Sequence, residues 1–195
     1  MSPAPTVLIR PAVLADASPM AQVYVRSWRS SYGGIVPRLV LSALSVPHET
    51  TYWRDALRRP PPGRHALVAE RRGHVVGFAT CGPCREGADA DRLGEVYTIY
   101  LLADAQRQGF GRRLLAECTA QMMADGIKRV CIWVLRDNPA RRFYEALHGE
   151  LDDEKTVSIS GAPLAVVRYT WDDIAWLEEA AAELSGIDLP GMLTA

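Results

Sequence analysis

One stretch, EVYTIYLLADAQRQGFGRRLLAE, constrains the fold more than any other. A run rich in aromatic and β-branched residues, Glu95 to Leu102, passes through two glycines one residue apart into a run with helical periodicity. A strand that ends in such a turn and opens a helix aims several unpaired backbone N–H groups, and the positive end of the helix dipole, at one point. That geometry suits an anion. Gly109 and Gly111 carry no Cβ to hold a ligand away, so phosphate oxygens can reach the amides of Arg107, Gln108, Gly109, Phe110, Gly111 and Arg112. Three or four charge-assisted bonds of ~1.5–3 kcal/mol each compare well with the ~8 kcal/mol behind micromolar affinity, before the costs of binding are subtracted.

Two other phosphate loops fit the stretch poorly. The P-loop requires Gly-Lys followed by Ser or Thr, where this chain has Gly111, Arg112 and Arg113. The dinucleotide fingerprint requires a third glycine where Leu114 stands, together with a parallel strand–helix repetition that the flanking hairpins do not supply.

The remaining chain reads as follows. Val7 to Arg10 alternates as a short strand that Pro11 ends, and Asp16 caps a helix running from Ala17 to about Ser31, with Met20, Tyr24 and Trp28 on one face. Two shorter helices follow, near Arg38 to Leu44 and His48 to Arg58. HALVAER and HVVGFATC form a hairpin around Arg-Gly, and RVCIWVL, apolar on both parities, reads as a strand covered on both faces. Asn138 as cap and Pro139 at the first helical position open a helix through Leu147 that closes near Gly149. TVSIS and LAVVRYTW pair across a Gly-Ala-Pro turn, and residues 172–195 form an amphipathic helical tail carrying Ile174, Leu177 and Leu184. Helices first, a mostly antiparallel sheet next, and one strand–helix–strand crossover at the glycine turn make a single α+β domain over residues 1–195.

A formal net charge of -1 gives no overall attraction for nucleic acid or an anionic membrane, and neither is expected as a partner. The N-terminus lacks the basic flank and apolar core of a secretory signal, and four cysteines are too few for a disulfide scaffold, so a cytoplasmic location is expected. Cys81 and Cys84 have the C-x-x-C spacing of a redox dithiol, yet no amphipathic helix follows them, and the scattered histidines suggest no metal.

Here the chain resembles a known family. The stretch VYTIYLLADAQRQGFGRRLL is similar to the acetyl-CoA-binding motif of the GNAT superfamily of N-acetyltransferases, with Gln106, Gly109 and Gly111 in place. NPARRFYEALHGE resembles the family's second signature through Ala140, Phe143, Tyr144 and Glu145, and IRPA and SWRSSYGG are similar to its entry segment. The resemblance implies an acyl-CoA N-acyltransferase fold, a mixed, mostly antiparallel sheet of about seven strands flanked by helices. It implies acetyl-CoA as cosubstrate without a metal, and a primary amine of a small molecule, peptide or protein as acceptor.

Site roles follow from the same resemblance. Backbone groups of Ile99, Tyr100 and Leu101 would hold the cofactor's pantetheine arm and polarise the thioester carbonyl. Tyr144 would donate a hydrogen bond to the departing thiolate; full proton transfer from a phenol of pKa ~10 to a thiolate of ~8.5 is uphill by about 2 kcal/mol. Asn138 either touches the cofactor arm or caps its helix. Glu95 is either a general base at the start of the strand or a strand-end glutamate, and a base matters because freeing a lysine-like amine of pKa ~10.4 at pH 7 costs about 4.6 kcal/mol. Trp28 and Tyr32 either wall the acceptor pocket or pack in the core. The competing class is a non-catalytic acyl-CoA-binding module, and the tail leaves a homodimer open.

Overall fold

Two tight turns with both central φ angles positive, Arg72–Gly73 and Ser160–Gly161, set the hairpins from which most of the sheet is made. The computed structural model describes residues 7–86, 93–175 and 177 of the chain. Seven strands run in the order β1-β2-β3-β4-β5-β7-β6: β1 (Val7–Pro11), β2 (His65–Arg71), β3 (His74–Pro83), β4 (Leu93–Leu101), β5 (Arg129–Leu135), β6 (Glu150–Ile159) and β7 (Ala162–Trp171). Every neighbouring pair is antiparallel except β4 and β5, which helix α4 (Phe110–Ala124) connects by a crossover.

Helices cover both faces. Leu114, Leu115, Cys118 and Met122 of α4 share one buried cluster with Val96, Val130 and Ile132. A second cluster joins Met20 and Val23 of α1 (Ala17–Ser31) and Trp53 of α3 (Val46–Arg58) to Val68 and Phe78. Between α1 and α3 lies the short α2 (Arg38–Ala43). Ile174 and Leu177 of the tail are buried in the α4 cluster, while Leu184 lies outside the described residues. Among the described residues no helix is long and apolar enough to cross a membrane.

Several local expectations are corrected. Asp16 does not cap α1: its carboxylate reaches back to the Val13 N–H at 2.8 Å and takes a two-pronged bond from Arg10 at 2.6 and 3.0 Å. Burial pushes that carboxyl up, but Arg10 and the Val13 amide outweigh it, and its pKa falls below the usual range. Helix α3 starts two residues before His48, because the Ser45 hydroxyl accepts from the His48 N–H and Pro47 suits the first turn. Strand β6 begins at Glu150, well before TVSIS. Its charged half, ELDDEK, is tolerated because β6 is an edge strand with exposed side chains, some of which pair with Arg168 of β7. The hairpin turn falls at Ser160–Gly161, so Ala162 and Pro163 already belong to β7.

Strands β3 and β4 approach closely at Gly77, opposite Leu101; a Cβ there would lie 2.3 Å from Leu101 Cδ2 and 2.8 Å from the Tyr100 carbonyl oxygen. Gly77→Ala is therefore expected to destabilise the chain by about 1–3 kcal/mol through overpacking, read as a lower urea midpoint with an unchanged slope.

Candidate active site

Strands β4 and β5 are held together over three residue pairs, ending at Glu95↔Cys131, and then part. Both remain extended, because β3 pairs β4 as far as Leu101 and β7 pairs β5 as far as Leu135. The parting opens a cavity of about 230 Å³. Ile99, Tyr100 and Leu101 line one side, Val134 and Leu135 the other; Tyr144 and Asn138 close it from beyond β5, and Trp28 of α1 with Tyr32 at that helix's C-cap from the opposite face.

The glycine turn stands at the open end. After Leu102 the chain makes a single tight turn, Ala103–Ala105, and Gln106 donates from Nε2 to the Leu101 carbonyl at 3.1 Å. Gln108 is spent differently, donating to the Asp104 carbonyl at 2.7 Å. Arg107 and Gly109 both adopt positive φ, 58° and 79°, which turns the chain sharply into α4. The first helical bond runs from Arg113 N to Gly109 O, so the amides from Gly109 to Arg112 have no carbonyl one turn behind them. Phe110 sends its side chain into the core and offers only its N–H.

The turn fits a diphosphate. Residues 106–109 are exposed, nothing lies within 4 Å of where a Gly109 Cβ would stand, and a Cβ at Gly111 would meet only side-chain atoms of Leu101 and Phe143, at 3.4 Å and beyond. Packing within the chain therefore does not demand glycine at 111. A ligand seated against the amides would.

Aromatic residues dominate the walls. Tyr24, Trp28 and Tyr32 succeed one another at four-residue spacing along α1 and onto its C-cap, with ring centroids 5.4 and 4.7 Å apart. Trp28 Nε1 donates to the Tyr100 hydroxyl at 3.0 Å, and Ser27 Oγ donates to the Leu101 carbonyl at 3.1 Å, so α1 is fastened to the inner edge of β4 at two points. Tyr144 is 5 % exposed, packs edge-on against Phe143 and Trp171, and has no hydrogen-bond partner for its hydroxyl among the described residues. Burial, with a smaller contribution from nearby Tyr32, pushes its pKa well up, and burial does the same at Tyr100 and Tyr24. Burial also raises Tyr32, although Tyr100 and Asn138 beside it pull the other way.

Asn138 does not cap α5 (Arg141–Glu145), whose N-cap position is Ala140, but holds the turn before it. Its Oδ1 accepts from the Ala140 N–H at 2.9 Å, and it also lines the cavity. That turn delays α5, which spans only Arg141–Glu145 rather than running from Pro139 to Leu147; beyond Glu145 the chain turns through His148, at φ 55°, into Gly149.

Glu95 is not brought to the cavity. It is 2 % exposed at the closed end, where Arg85 Nε donates to both its oxygens at 3.1 Å, Nη2 bonds Oε1, and the Arg85 N–H donates to Oε2 at 3.1 Å. It is thus neither exposed nor free. The C-x-x-C pair also separates. Cys81 Sγ donates to the Cys118 carbonyl and Cys84 Sγ to the Glu86 carbonyl, all four cysteines being buried and unbridged. Among the described residues no group of three or more His, Cys, Asp or Glu is placed to hold a metal.

The cavity gathers residues that sequence reasoning missed: Ser27, Tyr97, Thr98 and Trp133. Ser27 precedes Trp28 on the same helix and was within reach of a helical-wheel argument. Trp133 was not, because a strand apolar on both parities does not show which face meets a cavity.

Comparisons with known proteins agree with this geometry. A model of the acetyltransferase (GNAT) family matches residues 24–149. The "uncharacterized N-acetyltransferase YuaI" of Bacillus subtilis is 36% identical over 175 residues, 88% of this chain and 96% of that protein. Two solved structures share the fold: the PaiA N-acetyltransferase of Thermoplasma acidophilum in complex with coenzyme A (TM-score 0.65, 18% identity, 85% of this chain and 99% of that one), and YncA of Salmonella typhimurium with acetyl-CoA (TM-score 0.63, 19% identity, 85% and 93%).

The buried Tyr144 and the half-buried Tyr24 and Tyr100 make a pH prediction. Because the folded state raises their pKa above the unfolded ~10, their contribution to stability is complete below pH ~10 and is lost as pH rises beyond it. In a spectrophotometric titration, Tyr24, Tyr100 and Tyr144 are expected to ionise only together with loss of the far-ultraviolet circular dichroism signal. Reversible ionisation of these three in the folded chain would contradict the packing described.

Proposed function

Because this chain belongs to the GNAT family of acetyltransferases, we propose that it moves an acetyl group from acetyl-CoA to a primary amine of a small molecule, peptide or protein by direct transfer. The observation that carries the reading is the alignment of three features along one gap in the sheet. The glycine turn stands at its open end, the inner edge of β4 along its side, and an unpartnered buried phenol on its wall.

When bound, acetyl-CoA supplies the activated acetyl thioester. In this reading the amides from Arg107 to Arg112 hold its diphosphate, with the Gln106 side chain already committed to Leu101. Backbone groups of Ile99 to Leu101, which have no strand partner on the β5 side, hold the arm and polarise the acetyl carbonyl. Trp28 and Tyr32 wall the acceptor's approach and exclude water, and Asn138 keeps the wall beyond β5 in register with Tyr144. The Tyr144 hydroxyl, kept neutral by burial, donates a hydrogen bond to the sulfur as negative charge gathers there. No nucleophilic side chain is needed, since orienting both reactants within one cavity supplies much of the acceleration.

Thiol release from acetyl-CoA across a panel of amines tests the proposal. The native chain is expected to turn over with at least one primary amine, and Tyr144→Phe to lower kcat by about 10- to 100-fold while leaving coenzyme A affinity nearly unchanged, the loss of one hydrogen bond to a charged atom. Tight coenzyme A binding without turnover on any amine would favour a non-catalytic acyl-CoA-binding module instead.

A further inference from the structure

The cavity's lining bears on which amines can react. Among the described residues no aspartate, glutamate, histidine or lysine lines it. Its polar groups are the hydroxyls of Ser27, Ser31, Tyr32, Tyr97, Thr98, Tyr100 and Tyr144 and the amides of Gln106 and Asn138. None of these takes a proton from an ammonium ion near neutrality. Glu95 sits at the closed end of the gap, next to Tyr97 and Cys131, with all its bonds going to Arg85. To accept a proton it would have to give up a guanidinium while buried.

Positive charge also stands behind two of the walls. Arg64 and Arg85 lie 5.0 and 4.9 Å from the ring centroid of Tyr97, and Lys155 and Arg168 lie 4.1 and 5.5 Å from that of Trp133. Glu86 and Asp152 pair with Lys155 and Arg168, so the surroundings are balanced and not acidic. An ammonium ion entering this cavity loses its hydration and meets no carboxylate of the described residues in exchange, and the aromatic faces compensate only in part.

We infer that none of the described residues lining the cavity accepts the proton of the acceptor amine, that Glu95 is a positioning residue clamping Arg85 across the closed end of the gap, and that the acceptors are amines of low basicity, of the α-amino kind found at peptide termini. The inference rests on the transferase reading above. The amine enters neutral, having given its proton to bulk water. Its lone pair forms the C–N bond, the C–S bond breaks with its electrons going to sulfur, nitrogen sheds one proton to solvent and sulfur regains one, so the reaction is neutral overall. At pH 7 an α-amine of pKa ~8 is about one-tenth neutral, whereas a lysine-like amine of pKa ~10.4 is neutral in about one molecule in 2,500, a ratio of roughly two-hundred-fold.

The test compares amino-acid amides with size-matched primary alkylamines, following kcat/KM against pH and, separately, the binding of each amine by tryptophan fluorescence. For each acceptor both kcat/KM and affinity are expected to rise with pH and to level at that amine's own pKa, so that the limb moves with the acceptor. At pH 7 the amino-acid amide should be preferred by about tenfold or more, the greater nucleophilicity of the alkylamine offsetting part of the ratio. Glu95→Gln should leave the position of the limb unmoved, even if it lowers the melting temperature. A limb fixed at one pH for all acceptors, or one abolished by Glu95→Gln, would overturn the inference. Absence of turnover with every amine would instead overturn the transferase reading itself.

Discussion

Once β4 and β5 have shared three residue pairs they separate while each stays bound on its outer side, and the site depends on that separation. A sheet opened along one seam leaves a row of peptide groups facing inward, and buried peptide groups must find partners. An extended, amide-bearing ligand arm can supply them, as an added strand does at a sheet edge. Across the same seam the connection must cross over, since β4 and β5 are parallel neighbours. The crossover helix α4 therefore begins at the open end, and its first free amides face whatever enters there. Cavity and glycine turn are thus two consequences of one topological fact.

What keeps the seam from closing is side-chain volume and what fastens its ends. On one face Trp28, Tyr32 and Tyr100 interlock through ring contacts and the Trp28–Tyr100 hydrogen bond; on the other Tyr144 packs against Phe143, Tyr169 and Trp171. At the closed end Glu95 and Arg85 form an ion pair whose carboxylate is fully buried. Such a pair adds little net stability, but breaking it leaves an uncompensated charge, so it fixes geometry more than it strengthens the fold. The tyrosines combine burial with a polar tip, which leaves neutral donors facing the cavity across the physiological pH range.

Local sequence carried much of this. The strand, the paired glycines and the apolar stripe of α4 were readable because turn chemistry and periodicity are properties of neighbouring residues. Gly109 and Gly111 follow from that turn chemistry, whereas Tyr144, Trp28 and Tyr32 rest on the family resemblance; the three aromatic residues line the cavity, and the glycines form the turn into α4. Where a distant partner decides the outcome, the reading failed. Asp16 looked like a helix cap until Arg10 claimed it, and Glu95 looked like an accessible carboxylate until Arg85, across the β3–β4 connection, covered it. The C-x-x-C spacing was discounted for want of a following helix, and the sulfurs of Cys81 and Cys84 bond to different carbonyls. Contacts such as Ser27 with Leu101, 74 positions apart, leave no trace in local pattern.

Amide hydrogen exchange, followed with and without coenzyme A, measures most directly whether the seam and the turn act together as one binding surface. Protection that rises on ligand addition at both 99–101 and 107–112, and stays level on the outer strands β1 and β6, is the expected result. Protection confined to some other part of the chain, or unchanged in both segments while coenzyme A binds, would contradict the seating of the cofactor between β4 and β5.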